Sequence, residues 1–137
     1  MSRVTAAGVT VRAADGRTLL DRVDLSLAAG ELCILAGRNG AGKTLLARCL
    51  AGIITPGEGT VQNEGTHPAL VFQDTRSQVL GQTVSDDVAM GPRSAGLSHA
   101  DIDERVTEAL QRTGLSEMGR RDPFTLSGGE QRRLSIA

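Results

Sequence analysis

Gly37-Arg38-Asn39-Gly40-Ala41-Gly42-Lys43-Thr44 sits between an unbroken apolar run, Leu32-Cys33-Ile34-Leu35-Ala36, and a stretch with helical spacing, Lys43–Ala51. The apolar run is of the kind that forms a strand buried on both faces of a largely parallel sheet. In Lys43–Ala51 the residues Leu45, Leu46, Leu50 and Ala51 can share one face, and Gly52 closes the helix. Strand, glycine-rich loop and helix are the context in which G-x4-G-K-[ST] holds phosphate. The glycines let the backbone curl so that successive N–H groups aim at one concave spot. The helix adds its positive N-terminal end. Lys43 brings a point charge to the β and γ phosphates, and the Thr44 hydroxyl is placed to ligate Mg2+. Average composition yields this pattern by chance in roughly one chain in a hundred of this length. The flanking elements make coincidence rarer still, so the loop is assigned to a nucleotide.

Working outward, Val4–Arg12 and Val23–Leu27 alternate apolar and polar residues as half-buried strands do, with Asp15-Gly16 as the turn between them. Downstream, Pro56-Gly57-Glu58-Gly59 is a loop, Thr60-Val61 a short strand and Ala69–Phe72 another buried strand. Thr83 is placed to cap a helix over Val84–Met90, and Ser98 one over His99–Thr113. In the second, Ile102, Val106, Ala109 and Leu110 form one apolar stripe, and Gly114 is the C-cap. A last helix starts at Ser127, with Glu130 at the reciprocal capping-box position.

The 137 residues suffice for a single core. A net charge of -1 gives no electrostatic footprint for nucleic acid or an anionic membrane. The longest apolar run, Leu32–Ala36, is far too short to span a bilayer, and the N-terminal residues have no signal-peptide core, so a cytosolic protein is expected. Cys33 and Cys49 lack CxxC spacing and read as two small buried thiols. With no Trp, no Tyr and two Phe, little aromatic stacking is on offer to a ligand.

Gln73 leaves the strand Ala69–Phe72, and Leu126-Ser127-Gly128-Gly129-Glu130-Gln131 lies downstream. Together with the phosphate loop these resemble the ATP-binding-cassette (ABC) ATPases. That family has a phosphate loop, a glutamine at a strand end, a helical subdomain, then LSGGQ at a helix start. The resemblance implies an α/β P-loop NTPase fold of the ABC-ATPase type, with a small antiparallel β-subdomain and a helical subdomain. On it, residues 1–73 are the β-subdomain and phosphate-loop core, 74–126 the helical subdomain, and 127–137 the start of the signature helix. By the same resemblance Gly37, Arg38, Asn39, Gly40, Ala41, Gly42, Lys43 and Thr44 cradle ATP. Lys43 and Gln73 are the catalytic residues, Thr44 and Gln73 meet Mg2+, and Gln73 senses the γ-phosphate. Ser127, Gly128, Gly129 and Glu130 form the signature that touches ATP held by a second subunit. The signature's own chemistry agrees: two glycines expose backbone N–H groups at a helix start, and the Ser127 hydroxyl is a further donor. Capping alone explains Ser127 and Glu130 but not paired glycines, which cost helix stability.

Val71–Ile136 looks in particular like the ATPase subunits of energy-coupling-factor importers, which take up vitamins or transition-metal ions. The implied partners are a second ABC ATPase subunit, identical or paralogous, and an integral membrane transporter protein docked on Asp74–Arg93. The implied place is the cytoplasmic face of the cell membrane, reached through the transporter, with no membrane insertion of its own and no nucleic acid.

The chain departs from the family pattern in four ways. The aromatic residue that stacks on adenine falls near Ala13, so weak or base-tolerant nucleotide binding is expected. The connection from Val61 to Leu70 is short, so the small sheet is expected to be trimmed. No aliphatic strand ends in Asp-Glu, and neither His67 nor His99 fits the histidine that contacts the γ-phosphate. In the family's sheet the strands bearing these groups lie between the phosphate-loop strand and the glutamine strand. The chain is therefore expected to be the N-terminal part of a longer ATPase, binding phosphate weakly and hydrolysing little or nothing alone. One alternative is a non-catalytic remnant that binds a partner subunit. Another is a DNA-repair or chromosome-organising ATPase, although the interval from glutamine to signature has no heptads and no cysteine pairs.

Overall fold

The alternating stretch at the N-terminus becomes β1 (Arg3–Arg12), the middle strand of an antiparallel sheet. The computed structural model describes residues 3–65 and 68–137; His67 lies outside them. The chain divides between Leu70 and Val71 into two compact units.

In the first unit β1 pairs with β2 (Thr18–Ala28) on one side and β3 (Glu58–Glu64) on the other, in the order β2-β1-β3. The first register runs from Arg3 opposite Ala28 to Arg12 opposite Thr18, and the second from Arg3 opposite Glu64 to Thr10 opposite Glu58. β3 is longer than the expected Thr60-Val61, because pairing with β1 extends it. Its approach to β1 depends on Gly59, at φ +82°, where any Cβ would overlap the carbonyl oxygens of Ala7 and Gly8. The β1–β2 turn is closed by the Ala13 N–H to the Arg17 carbonyl (2.8 Å) and the Gly16 N–H to the Ala13 carbonyl (2.9 Å). Helix α1 (Lys43–Leu50) lays Leu46 and Cys49 against Ala6, Val9 and Leu20, which makes the first core.

Two expected strands are not formed. Leu32–Ala36 and Ala69–Phe72 carry no regular secondary structure. Leu32 is 87% exposed and Ile34 82%. An apolar strand buried on both faces needs hydrogen-bonded neighbours for its N–H and C=O groups. Among the described residues the sheet has three strands, and none pairs with either segment. Cys33 shares the exposure of its segment, against the expectation of a buried thiol. Cys49 is buried, and that burial pushes its thiol pKa up, away from reactive thiolate.

The second unit is helical: α2 (Val84–Ser94), α3 (His99–Thr113) and α4 (Gly128–Leu134). Thr83 Oγ1 accepts from the Asp86 N–H at 3.1 Å, and Ser98 Oγ from the Asp101 N–H at 3.3 Å. Gly114 ends α3 in the left-handed conformation, φ +66°. Ile102, Val106 and Leu110 turn inward onto Val84, Ala89, Leu115, Leu126 and Leu134, forming the second core. α2 runs past its expected end at Met90, because Pro92 lies in its last turns and forfeits a single hydrogen bond there. Short 3-10 turns at Arg76–Gln78 and Pro123–Thr125 flank the points where the unit meets Gln73 and Ser127. Among the described residues no helix is long and apolar enough to cross a membrane.

Candidate functional site

The phosphate-loop residues gather at the start of α1, in the first unit. Residues 37–41 are exposed, Gly42 and Lys43 half-buried, and Thr44 exposed. Gly40 and Gly42 adopt φ of +82° and +86°, which bends the backbone tightly into the helix. Gly42 seats the loop on β2: a Cβ there would stand 2.5 Å from Leu20 Cδ2 and 3.0 Å from the Leu19 carbonyl oxygen. The Lys43 ammonium folds back over the loop and donates to the carbonyls of Gly37 and Arg38, both at 2.8 Å. α1 begins with no side-chain cap and no acidic residue in its first turn. Its leading N–H groups, together with the helix dipole, are therefore available to an anion, and a phosphate fits that donor set.

Gln73 lies in the second unit, exposed on a bend whose flanks are held from several sides. The Phe72 N–H donates to Gln78 Oε1 at 3.1 Å, and the Phe72 carbonyl accepts from Arg132 Nη1 at 3.2 Å. Asp74 Oδ1 accepts from the Arg76 N–H at 3.1 Å, and the Asp74 carbonyl from Ser77 Oγ at 3.0 Å.

The signature residues gather at the start of α4. The Ser127 N–H donates to Glu130 Oε2 at 2.7 Å, while Ser127 Oγ accepts from the Glu130 N–H at 3.4 Å, so the expected capping box is complete. These bonds from Ser127 hold the Glu130 carboxyl below its usual range. Because Ser127 Oγ accepts within the box, its O–H stays available as a donor. Gly128 and Gly129 are exposed. A Cβ on Gly128 would meet nothing within 4 Å, and one on Gly129 would meet only Arg133 Nη1 at 3.8 Å. Neither glycine has a positive φ. The chain's own packing therefore does not call for glycine at either position.

A match to the ABC transporter family spans residues 20–137. The chain belongs to that family. It is 39% identical over 138 residues to the energy-coupling factor transporter ATP-binding protein EcfA1 of Symbiobacterium thermophilum, with 91% of this chain and 48% of that protein covered. It is 38% identical over 134 residues to the cobalt import ATP-binding protein CbiO of Syntrophus aciditrophicus, with 88% of this chain and 48% of that protein covered. The chain thus spans about half the length of the curated relatives it matches. Among solved structures it resembles CbiO1 of Clostridium perfringens, part of the ABC transporter complex cbiONQ. The TM-score is 0.85 at 26% identity, over 97% of this chain and 59% of that one. The antiparallel sheet and the helices are thus part of an ABC ATPase fold, in agreement with the expectation from sequence. Sequence reasoning does not single out Leu20 beneath Gly42 in the first unit, nor Arg76 and Arg132 around the Gln73 bend in the second. No local signal marks them, since Arg132 meets Phe72 across 60 residues of chain.

Proposed function

We propose that this chain supplies the phosphate-loop and signature portion of an ABC ATPase subunit that energises an importer of the energy-coupling-factor type. The observation that carries the reading is the uncapped start of α1, reached through left-handed Gly40 and Gly42 with Lys43 curled over the loop. ATP is the anion that Gly37–Thr44 would take, in line with the ATP-binding relatives. When bound with ATP, Mg2+ supplies charge neutralisation at the β and γ phosphates. Among the described residues no cluster of three or more His, Cys, Asp or Glu could hold a metal ion. Thr44 and Gln73 would be the ligands from this chain, beside the nucleotide's own oxygens. Lys43 would leave the Gly37 and Arg38 carbonyls for the phosphates. The Ser127 hydroxyl and the Gly128 and Gly129 N–H groups would be presented to ATP held by a second ABC subunit, with Glu130 completing the signature by holding Ser127 in the capping box, in a dimer with two shared sites. The open space over Gly128 is the structural support for that role.

Residues 1–73 would form the β-subdomain and phosphate-loop core, 74–126 the helical subdomain, and 127–137 the start of the signature helix. Asp74–Arg93 would dock the integral membrane transporter, placing the subunit on the cytoplasmic face. The exposed Leu32, Ile34 and Leu35 would pair within a larger sheet. Titration of the purified protein with Mg-ATP, read with a fluorescent ATP analogue, tests the core of this reading. Binding should be lost in Lys43→Ala, and undiminished binding by that variant would overturn the loop assignment.

A further inference from the structure

Gln131 is one of two buried polar side chains among the described residues, at 5% exposure, and it sits just inside α4. A buried amide needs partners, and those it has point in two directions. Its Oε1 accepts from Arg76 Nε at 3.4 Å, toward the Gln73 bend, and its Nε2 donates to the Pro123 carbonyl at 3.5 Å, toward the turn that leads into Ser127. The next residue, Arg132, makes the shorter bond: Nη1 donates to the Phe72 carbonyl at 3.2 Å, on the peptide that joins Phe72 to Gln73. α4 therefore presents Ser127 at its start and grips the backbone of Gln73 from its second turn.

We infer that Arg132, assisted by the Arg76–Gln131 pair, is a positioning residue that fixes the Gln73 backbone to the signature helix, so that the two places meant for γ-phosphate move as one body. This rests on the roles given to Gln73 and Ser127 under the proposed function. The Gln73 side chain makes no part of the grip and remains free for a ligand. Gln78 and Ser77 bond the bend from within its own turn, whereas two bonds tie it to α4, and the shorter of these is that of Arg132 to the Phe72 carbonyl. Cutting it frees the peptide that aims Gln73 without touching the phosphate loop.

The test uses the protein expressed from its complete reading frame with its partner subunits. Arg132→Ala should lower ATPase kcat by roughly tenfold to a hundredfold, the effect of a misplaced reacting group. It should leave the KM for ATP within about threefold, because Lys43 and the loop amides are intact. The Mg2+ concentration needed for half activity should rise, and Arg132→Lys, which keeps one donor for Phe72, should restore much of the rate. Arg132→Ala combined with Gln73→Ala should be no slower than Gln73→Ala alone. Unchanged kcat and Mg2+ dependence in Arg132→Ala, or losses that multiply in the double variant, would overturn the inference. If Arg132→Ala does not fold, Arg76→Ala carries the same expectations and the same refutation. Full activity in Gln73→Ala would instead sink the role given to Gln73. Loss in Gln73→Ala with none in Arg132→Ala sinks only the link.

Discussion

Replacing Gly42 by alanine measures how firmly the phosphate loop is seated on β2. Gly42 stands at φ +86°, and its new Cβ would lie 2.5 Å from Leu20 Cδ2 and 3.0 Å from the Leu19 carbonyl oxygen. The left-handed conformation costs an L residue about 1–2 kcal/mol. Leu20 is 7% exposed and packed among Ala6, Val9, Leu46 and Cys49, so its methyl has little room to retreat. Overpacking of this kind costs about 1–3 kcal/mol. The sum, about 2–5 kcal/mol, is a large share of the ~5–15 kcal/mol that holds a typical domain together. The chain can avoid it only by lifting the loop off β2, which scatters the N–H groups meant for phosphate. The assay is urea unfolding by circular dichroism on the wild type, Gly42→Ala, Leu20→Ala and the double variant, with ATP binding alongside. Leu20→Ala alone should cost about 2–5 kcal/mol as a core truncation. In the double variant the overlap with Leu20 Cδ2 is gone, so the combined cost should fall short of the sum by about 1–3 kcal/mol. ATP binding should stay lost, because the φ strain and the Leu19 carbonyl remain. Strictly additive costs, or Gly42→Ala binding ATP as the wild type does, would refute the packing argument.

Gly128→Ala should behave in the opposite sense, gaining up to about 1 kcal/mol of stability because alanine is the better helix former and its Cβ meets nothing. The assembled ATPase should nevertheless slow; a stability gain at full activity would mean the signature glycines face no ligand. Two carboxyls are held below their usual range, Asp86 chiefly by the Thr83 hydroxyl and Glu130 chiefly by the Ser127 N–H. Their folded pKa values are depressed, so the stability they lend is full above the unfolded values of about 3.9 and 4.3 and is lost as pH falls through the folded ones. Urea midpoints should therefore drop between about pH 5 and pH 3, and Glu130→Gln, which removes one of the two titrating groups, should shrink that drop; an identical pH profile in the variant would count against Glu130 as a source of it. Ala13→Tyr should tighten ATP binding at least about tenfold, since base stacking is worth ~1–3 kcal/mol and 1.4 kcal/mol is a factor of ten. The turn there is closed by main-chain bonds that tyrosine can also make, so an unchanged Kd would show that Ala13 is not the adenine-facing position.

The features legible in the sequence lie within one turn of chain. The bonds from Thr83, Ser98 and Ser127 each span three residues, so a cap and its helix start announce each other locally. The end of α2 and the length of β3 depart from expectation because neither is local. One is set by helical bonds made beyond Pro92, the other by pairing with β1. Leu32–Ala36 reads as a strand from its apolarity, but apolarity states only that a segment gains by burial, not that neighbours are at hand to bury it. Glycines show the same division. Gly42 and Gly59 are required by atoms of this chain, the first by Leu20 and the second by the Ala7 and Gly8 carbonyls. At Gly128 no side chain, no carbonyl and no positive φ makes the demand. A glycine at a helix start that the chain's own packing does not require costs helix stability. That cost has no return within this chain's own packing, and the proposed contact of the exposed Gly128 N–H with ATP would supply one.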